Sequence, residues 1–366
     1  MTKPSLRSRV LLIDLLKATA AQLIVLHHLA WFGPLSDQAA TFSSLFADII
    51  AWFAHYGRYA VAVFIVTSGF LAAQFLPMRG LLPGDTPGCL IRERYLRLAM
   101  PFAAALLLAI ICNVLARQWM SHDSLGSPPQ LLQFLAHVLM LQGVLDFEAL
   151  SAGVWYVAID FQLYVLFVLL LWIGQRLPDW SRRTASADFS GAAPVLLLAL
   201  ASLFYFNLDA RWDDTALYFF GAYALGIGSG WAIRSEQRNQ FLWVICIAGL
   251  LALSIDFRPR LAIALVTALV LGFSRLHMPH WEVRLVHYLG GTSYALFLVH
   301  FPVYLLVSAV FLHIGASATA PGLAALGLGV TWILSMLAAH VFHRWVELPI
   351  GRYRKRRLQC SSRLRK

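Results

Sequence analysis

An all-α bundle of about ten membrane-crossing helices, with both termini cytoplasmic, is the fold class that the sequence predicts. Three observations lead there. Hydrophobic residues make up 60% of the chain and charged ones only 13%, whereas about a quarter of a soluble chain is charged. Apolar runs near 20 residues recur along the sequence, the length a helix needs to cross a hydrocarbon core of about 30 Å. The short alternating strands of an outer-membrane barrel do not occur.

The basic residues then orient the bundle. A formal charge of +11 is compatible with nucleic-acid binding, but its distribution argues against that. Lys and Arg lie in short loops and at the two ends, as the positive-inside rule requires. With the N-terminus inside, only Arg58, Arg117, Arg211, Arg258 and Arg260 fall in outer segments. The tail RYRKRRLQCSSRLRK (352–366) meets anionic lipid headgroups or fixes orientation. Cys89, Cys112, Cys246 and Cys360 include no pair in an oxidising loop, so no disulfide framework is indicated. The basic start MTKPSLRSR resembles a signal peptide, but Asp14 and Lys17 interrupt the apolar stretch behind it, so it is expected to be retained.

Span one covers about 10–32 and exits the membrane. An outer segment with Pro34 and Asp37 leads to a second apolar run, 59–77, returning inward. An inner loop holds Arg79, Arg92, Arg94 and Arg97 before span three, 98–116. Residues 131–145 are apolar but short and carry His137, Gln142 and Gly143, which suits a re-entrant or interfacial piece. Counting them as a crossing would invert every later loop and spoil the charge asymmetry. Further spans follow at 154–174, 192–207, 216–233, 240–256, 261–274, 292–312 and 322–342. The whole chain, 1–366, reads as one membrane domain ending in the basic tail, 352–366.

Ionisable groups inside such spans are costly and therefore informative. The first span carries Asp14, Lys17, His27 and His28. Lys17 and His28 are eleven residues apart, three turns plus roughly 20°, so they share a face about 16.5 Å apart along the axis. His27 points about 100° away. Asp14 lies one turn below Lys17, placed to pair with it. Snorkelling to the inner interface is the plainer account of Lys17.

Arg94 and Arg97 stand one turn apart at the inner mouth of span three. Two planar guanidinium forks there suit phosphate oxygens, while ordinary positive-inside anchoring explains them equally. In GVWYVAIDFQLYVLF (153–167), Trp155 falls at the outer interface, with Asp160, Gln162 and Tyr164 further in. Asp160 is either functional or one half of an interhelical contact with a His or Lys. Ser293 and His300 lie two turns apart, too far to touch, which leaves a packing role for the serine and an interior polar contact for His300. His340 and His343 have spacing fit for a metal, but no third ligand is evident. A salt bridge between Arg344 and Glu347 is the more economical reading, and no metal is expected.

Taken together, these residues resemble the membrane-bound acyltransferase-3 family. DLLKATAAQLIVLHH looks like its opening helix, in which a basic residue and a histidine are separated by ten others, here Lys17 and His28. VFIVTSGFL (63–71) is similar to its glycine-aromatic signature, and RYLR (94–97) to its paired-arginine motif. WYVAIDFQLY (155–164) resembles its tryptophan–acidic–Gln–x–Tyr helix. GGTSYALFLVHFP and ELP (347–349) resemble its closing segments. Lys17 replaces the usual arginine and loses the bidentate fork. Asp160 replaces the usual glutamate and is one methylene shorter.

The resemblance implies a multi-pass enzyme of the bacterial inner membrane. It would move an acyl group, with acetyl expected, from cytoplasmic acyl-CoA to a hydroxyl of an extracytoplasmic glycan or glycolipid. Arg94 and Arg97 would hold the nucleotide phosphates. His28 would be the general base, Lys17 with Asp14 would stabilise the donor or orient the helix, and Asp160 would orient an imidazole or the acceptor. Trp155, Tyr164, Ser293 and His300 would support them. Membrane lipids are the other expected partner, and nucleic acid is not one. The alternatives are a transporter or flippase, although no paired repeats are seen, or a same-family enzyme acylating a lipid or small molecule.

Overall fold

A computed structural model describes residues 6–177, 191–274, 280–314 and 321–352. Most of the basic tail, as well as Lys3, Arg182, Arg183 and Arg275, lies outside these residues. The protein is 79% helical, with no strand among the described residues. Every expected crossing is helical. Helices α1 (Leu6–Trp31), α2 (Leu35–Ala39), α3 (Ser44–Tyr56) and α4 (Val61–Ala73) open the chain. They are followed by α5 (Pro87–Ala116), α6 (Leu131–Val138) and α7 (Val154–Gly174). Helices α8 (Ala192–Phe204), α9 (Ala216–Ala232), α10 (Arg238–Ile255) and α11 (Pro259–Phe273) come next. The chain ends in α12 (His280–His313) and α13 (Pro321–Phe342), the latter continuing through a π-helical turn, His343–Glu347.

Seven helical stretches are long and apolar enough to cross a bilayer: Val10–Trp31, Ser44–Ala73, Pro87–Ala116, Val154–Gly174, Arg238–Ile255, Glu282–His313 and Pro321–Arg352. Ala192–Leu208 and Pro259–Phe273 are apolar but shorter, as is α9. At 1.5 Å per residue, 15 to 17 residues reach only about 22–26 Å, less than the core of about 30 Å.

Two boundaries differ from expectation for clear reasons. The second apolar stretch begins at Ser44 rather than 59, because the Ser43 hydroxyl caps α3 by accepting from the Phe46 N–H at 3.2 Å. Its polar His55 and Arg58 had hidden that continuity. Helix α5 starts at Pro87, so Arg92, Arg94 and Arg97 ride on a helix and not in a loop. The short α6 has only 8 residues, about 12 Å of helix, too little to cross a bilayer.

The chain divides into two compact units. The first comprises Met1–Ala20, Tyr59–Tyr95 and Tyr156–Gly290. Its core gathers Leu12 and Ile13 of α1, Val66 and Phe70 of α4, Leu225 of α9, Leu242 of α10 and Leu265 and Leu271 of α11. Helices α4 and α9 meet backbone to backbone. A Cβ on Gly69 would strike the Tyr223 carbonyl oxygen, and one on Gly226 would strike that of Val66. The glycine of VFIVTSGFL is therefore a close-approach residue. Polar side chains satisfy backbone carbonyls across the same unit: Ser229 Oγ donates to Ala268 O at 2.8 Å, and Trp231 Nε1 to Leu76 O at 2.9 Å.

The second unit comprises Ala21–Arg58, Leu96–Trp155 and Gly291–Lys366. Val25 of α1, Phe102 and Leu106 of α5, and Val299, Leu305 and Ala309 of α12 are buried. Trp332 of α13 donates from Nε1 to Gln22 Oε1 of α1 at 2.8 Å. His137 of α6 pins the following loop: its Nδ1 faces Gln133 O at 2.8 Å and its Nε2 accepts from the Leu150 N–H at 3.2 Å.

Candidate active site

Three polar clusters stand out, two in the first unit and one in the second. In the second unit, His28 near the end of α1 places Nδ1 2.8 Å from Nε2 of His300 on α12. The rings are parallel to within 6° with centroids 5.0 Å apart. One N–H···N bond plus two ring radii accounts for that separation, so the imidazoles meet edge to edge in one plane. This is a hydrogen bond and not a face-to-face stack. His300 is wholly buried, and its Nδ1 sits 3.0 Å from the Leu296 carbonyl oxygen.

His27 behaves as its helical position dictates. It turns aside to Phe53 O at 3.2 Å. The Cε1 edge of His28 looks onto the backbone of Gly153, which stands at φ +82°. A Cβ there would lie 2.9 Å from Phe297 Cζ and 3.4 Å from His28 Cε1. Glycine is thus required at 153 both for the positive φ and for the space beside the imidazole.

In the first unit, Arg94 of α5 donates from Nη2 to Asp160 Oδ2 of α7 at 2.6 Å and to Ser68 Oγ of α4 at 3.0 Å. Ser68 Oγ donates in turn to Asp160 Oδ1. The guanidinium also lies over the Tyr164 ring, 5.3 Å from its centroid. Its Nε is buried without a hydrogen-bond partner. Asp160 thus makes an interhelical contact, and its partner is an arginine rather than the expected His or Lys. Arg94 accordingly spends its Nη2 on a carboxylate. Arg97, one turn on, is exposed.

The same unit holds Asp14, whose Oδ1 lies 3.7 Å from Lys17 Nζ. The nearer partner is His287 Nδ1, 2.7 Å from Asp14 Oδ2. Gly290 lets α12 approach, since a Cβ there would come 2.5 Å from Asp14 Cβ. The pairing of Asp14 with Lys17 is present but long, and His287 is the closer contact.

The other expected residues fall as follows. Trp155 is 37% exposed at the start of α7 and Ser293 is buried. Glu347 pairs with His343 at 2.8 Å and not with Arg344 as expected. No group of three or more His, Cys, Asp or Glu suited to a metal occurs among the described residues. Arg117, His122, Asp123 and Glu148 line an open polar cavity of about 560 Å³ in the second unit.

Sequence reasoning missed two residues in these clusters, Ser68, which stood in a run noted only for its glycine, and His287. His300 was recognised as polar and interior, but not as the partner of His28.

A polytopic helical membrane protein with buried, paired ionisable groups is the class these features define. The family model of an acyltransferase domain matches residues 10–340, and the chain belongs to this acyltransferase-3 family. Searches among curated proteins and solved structures found no match.

Proposed function

We propose that the protein transfers an acyl group, acetyl being the expected cargo, from cytoplasmic acyl-CoA to a hydroxyl of an extracytoplasmic glycan, in a bacterial inner membrane. The reading keeps the expected orientation, with about ten crossings and both termini inside. Family membership favours an enzyme over a transporter. The observation that carries the chemistry is the direct contact of His28 Nδ1 with His300 Nε2 at 2.8 Å. It leaves Nε2, the other ring nitrogen of His28, for a reacting hydroxyl, with Gly153 lying against the Cε1 edge between the two nitrogens.

His28 serves as general base, since a neutral imidazole accepts a proton near physiological pH. The acceptor hydroxyl gives its proton to His28 as its oxygen bonds to the thioester carbonyl carbon. The carbon–sulfur bond breaks, and the departing CoA thiolate recovers the proton. Lys17, held with Asp14 and His287 on the inner half of α1, orients the helix or the donor. Arg97, exposed one turn further along α5, is a candidate for the CoA phosphates. Arg94, already paired with Asp160, secures α5 against α7 and α4. The polar cavity bearing Asp123 and Glu148 suits a polyhydroxylated acceptor, whose hydroxyls would donate to the carboxylates.

The test uses purified protein in nanodiscs with radiolabelled acetyl-CoA and envelope glycans. Wild type should label glycan. His28→Ala, expressed at the same level, should lose about 10²–10⁴-fold in rate, the usual share of a general base. Undiminished labelling by His28→Ala would end the general-base assignment. Absence of labelled product from wild type would end the glycan acyltransferase reading. Mass spectrometry of the product identifies the acyl group and acceptor.

A further inference from the structure

We infer that His300 is a positioning residue that fixes the tautomer of His28. The inference deepens the general-base reading and rests on it. The argument follows the protons. His300 Nδ1 lies 3.0 Å from the Leu296 carbonyl oxygen. A carbonyl only accepts, so Nδ1 of His300 must carry a proton. In a neutral imidazole the other nitrogen is then a bare acceptor. That nitrogen, Nε2, faces His28 Nδ1 at 2.8 Å, so the proton between the rings belongs to His28 Nδ1. It follows that Nε2 of His28 carries a lone pair, the form a general base requires.

The edge-to-edge, coplanar meeting of the rings directs the donor along the acceptor's lone pair. A proton relay through His300 is unsuited to this geometry. The far nitrogen of His300 ends on a backbone carbonyl four residues earlier on its own helix, and that oxygen cannot pass a proton on. His300 thus acts through His28, as second-layer hydrogen bonds select the tautomer of other functional histidines.

The experiment replaces His300 by Gln, whose amide oxygen can still accept from His28, and by Met, which is similar in length but offers no comparable acceptor. With acetyl-CoA and envelope glycan as substrates, His300→Met should lower kcat about 5- to 150-fold, the equivalent of an unmet buried N–H costing about 1–3 kcal/mol. The KM for acetyl-CoA should move less than kcat. His300→Gln should recover most of the loss. Equal losses in both variants, with both proteins monodisperse, would overturn the assignment.

A second readout does not depend on activity. In protein labelled with ¹⁵N-histidine, the His28 Nε2 resonance, identified by its loss in His28→Ala, should be of the unprotonated type in wild type and His300→Gln. It should shift towards the protonated type in His300→Met. A protonated Nε2 in wild type would refute the tautomer assignment directly. An active His28→Ala alongside an unprotonated wild-type Nε2 would instead refute the general-base reading and leave the hydrogen-bond assignment standing.

Discussion

Replacing Asp160 by Asn removes one charge from a cluster whose members come from three helices. The carboxylate is 7% exposed and its arginine partner 21%, so water compensates neither well. One oxygen takes Arg94 Nη2 at 2.6 Å and the other the Ser68 hydroxyl. Asn keeps the shape but turns a charge-assisted contact into a neutral one and leaves the guanidinium uncompensated. Breaking a buried pair from one side costs about 3–5 kcal/mol. At roughly 2 °C per kcal/mol, as in larger domains, the apparent midpoint should fall by about 6–10 °C. The assay is thermal unfolding of the nanodisc-embedded protein, followed by intrinsic fluorescence. An apolar double replacement, Arg94→Met with Asp160→Leu, should lose less than the single variant, because no charge is then left stranded. An Asp160→Asn protein as stable as wild type would refute the view that this pair secures the first unit. So would a double variant that is less stable than the single one.

Two further outcomes follow from close backbone approaches. Gly153→Ala should cost about 1–3 kcal/mol through the positive φ alone; because the new methyl also presses on Phe297 and the His28 edge, acyl transfer should fall by more than protein yield, and an unchanged rate per folded molecule would count against Gly153 bordering the reacting edge. Gly69→Leu should separate α4 from α9 at the Tyr223 carbonyl and abolish a monodisperse peak on size-exclusion chromatography, whereas normal elution would show that the two helices tolerate a wider spacing.

Much of the architecture was legible in the chain because membrane insertion responds to a one-dimensional property. Apolar length sets where helices run, and the lysines and arginines bias which ends stay inside. The same reasoning singled out Asp14, Lys17, His28 and Asp160 as ionisable groups inside spans, since hydrocarbon cannot solvate them, and the structure gives each a polar partner. Helical phase separated His28 from His27, and the structure sends His27 to Phe53 instead. Local periodicity reached less far at boundaries. The Ser43 cap and the N-terminal extension of α5 both carried helix through polar residues that hydropathy alone treats as breaks.

Partnership is where tertiary structure decided. His28 and His300 stand 272 residues apart, Asp14 and His287 273, and Arg94 and Asp160 66. No helical spacing relates such pairs. A buried polar group must find a partner, so the sequence announces that each needs one. Which partner it finds depends on which helices pack together and how closely. For Asp14 and His287 that closeness comes with Gly290, whose missing side chain lets α12 approach α1 at Asp14, as Gly69 and Gly226 let α4 approach α9. Thus His28 Nδ1, which the sequence cannot tell from the other ring nitrogen, is singled out by its contact with His300.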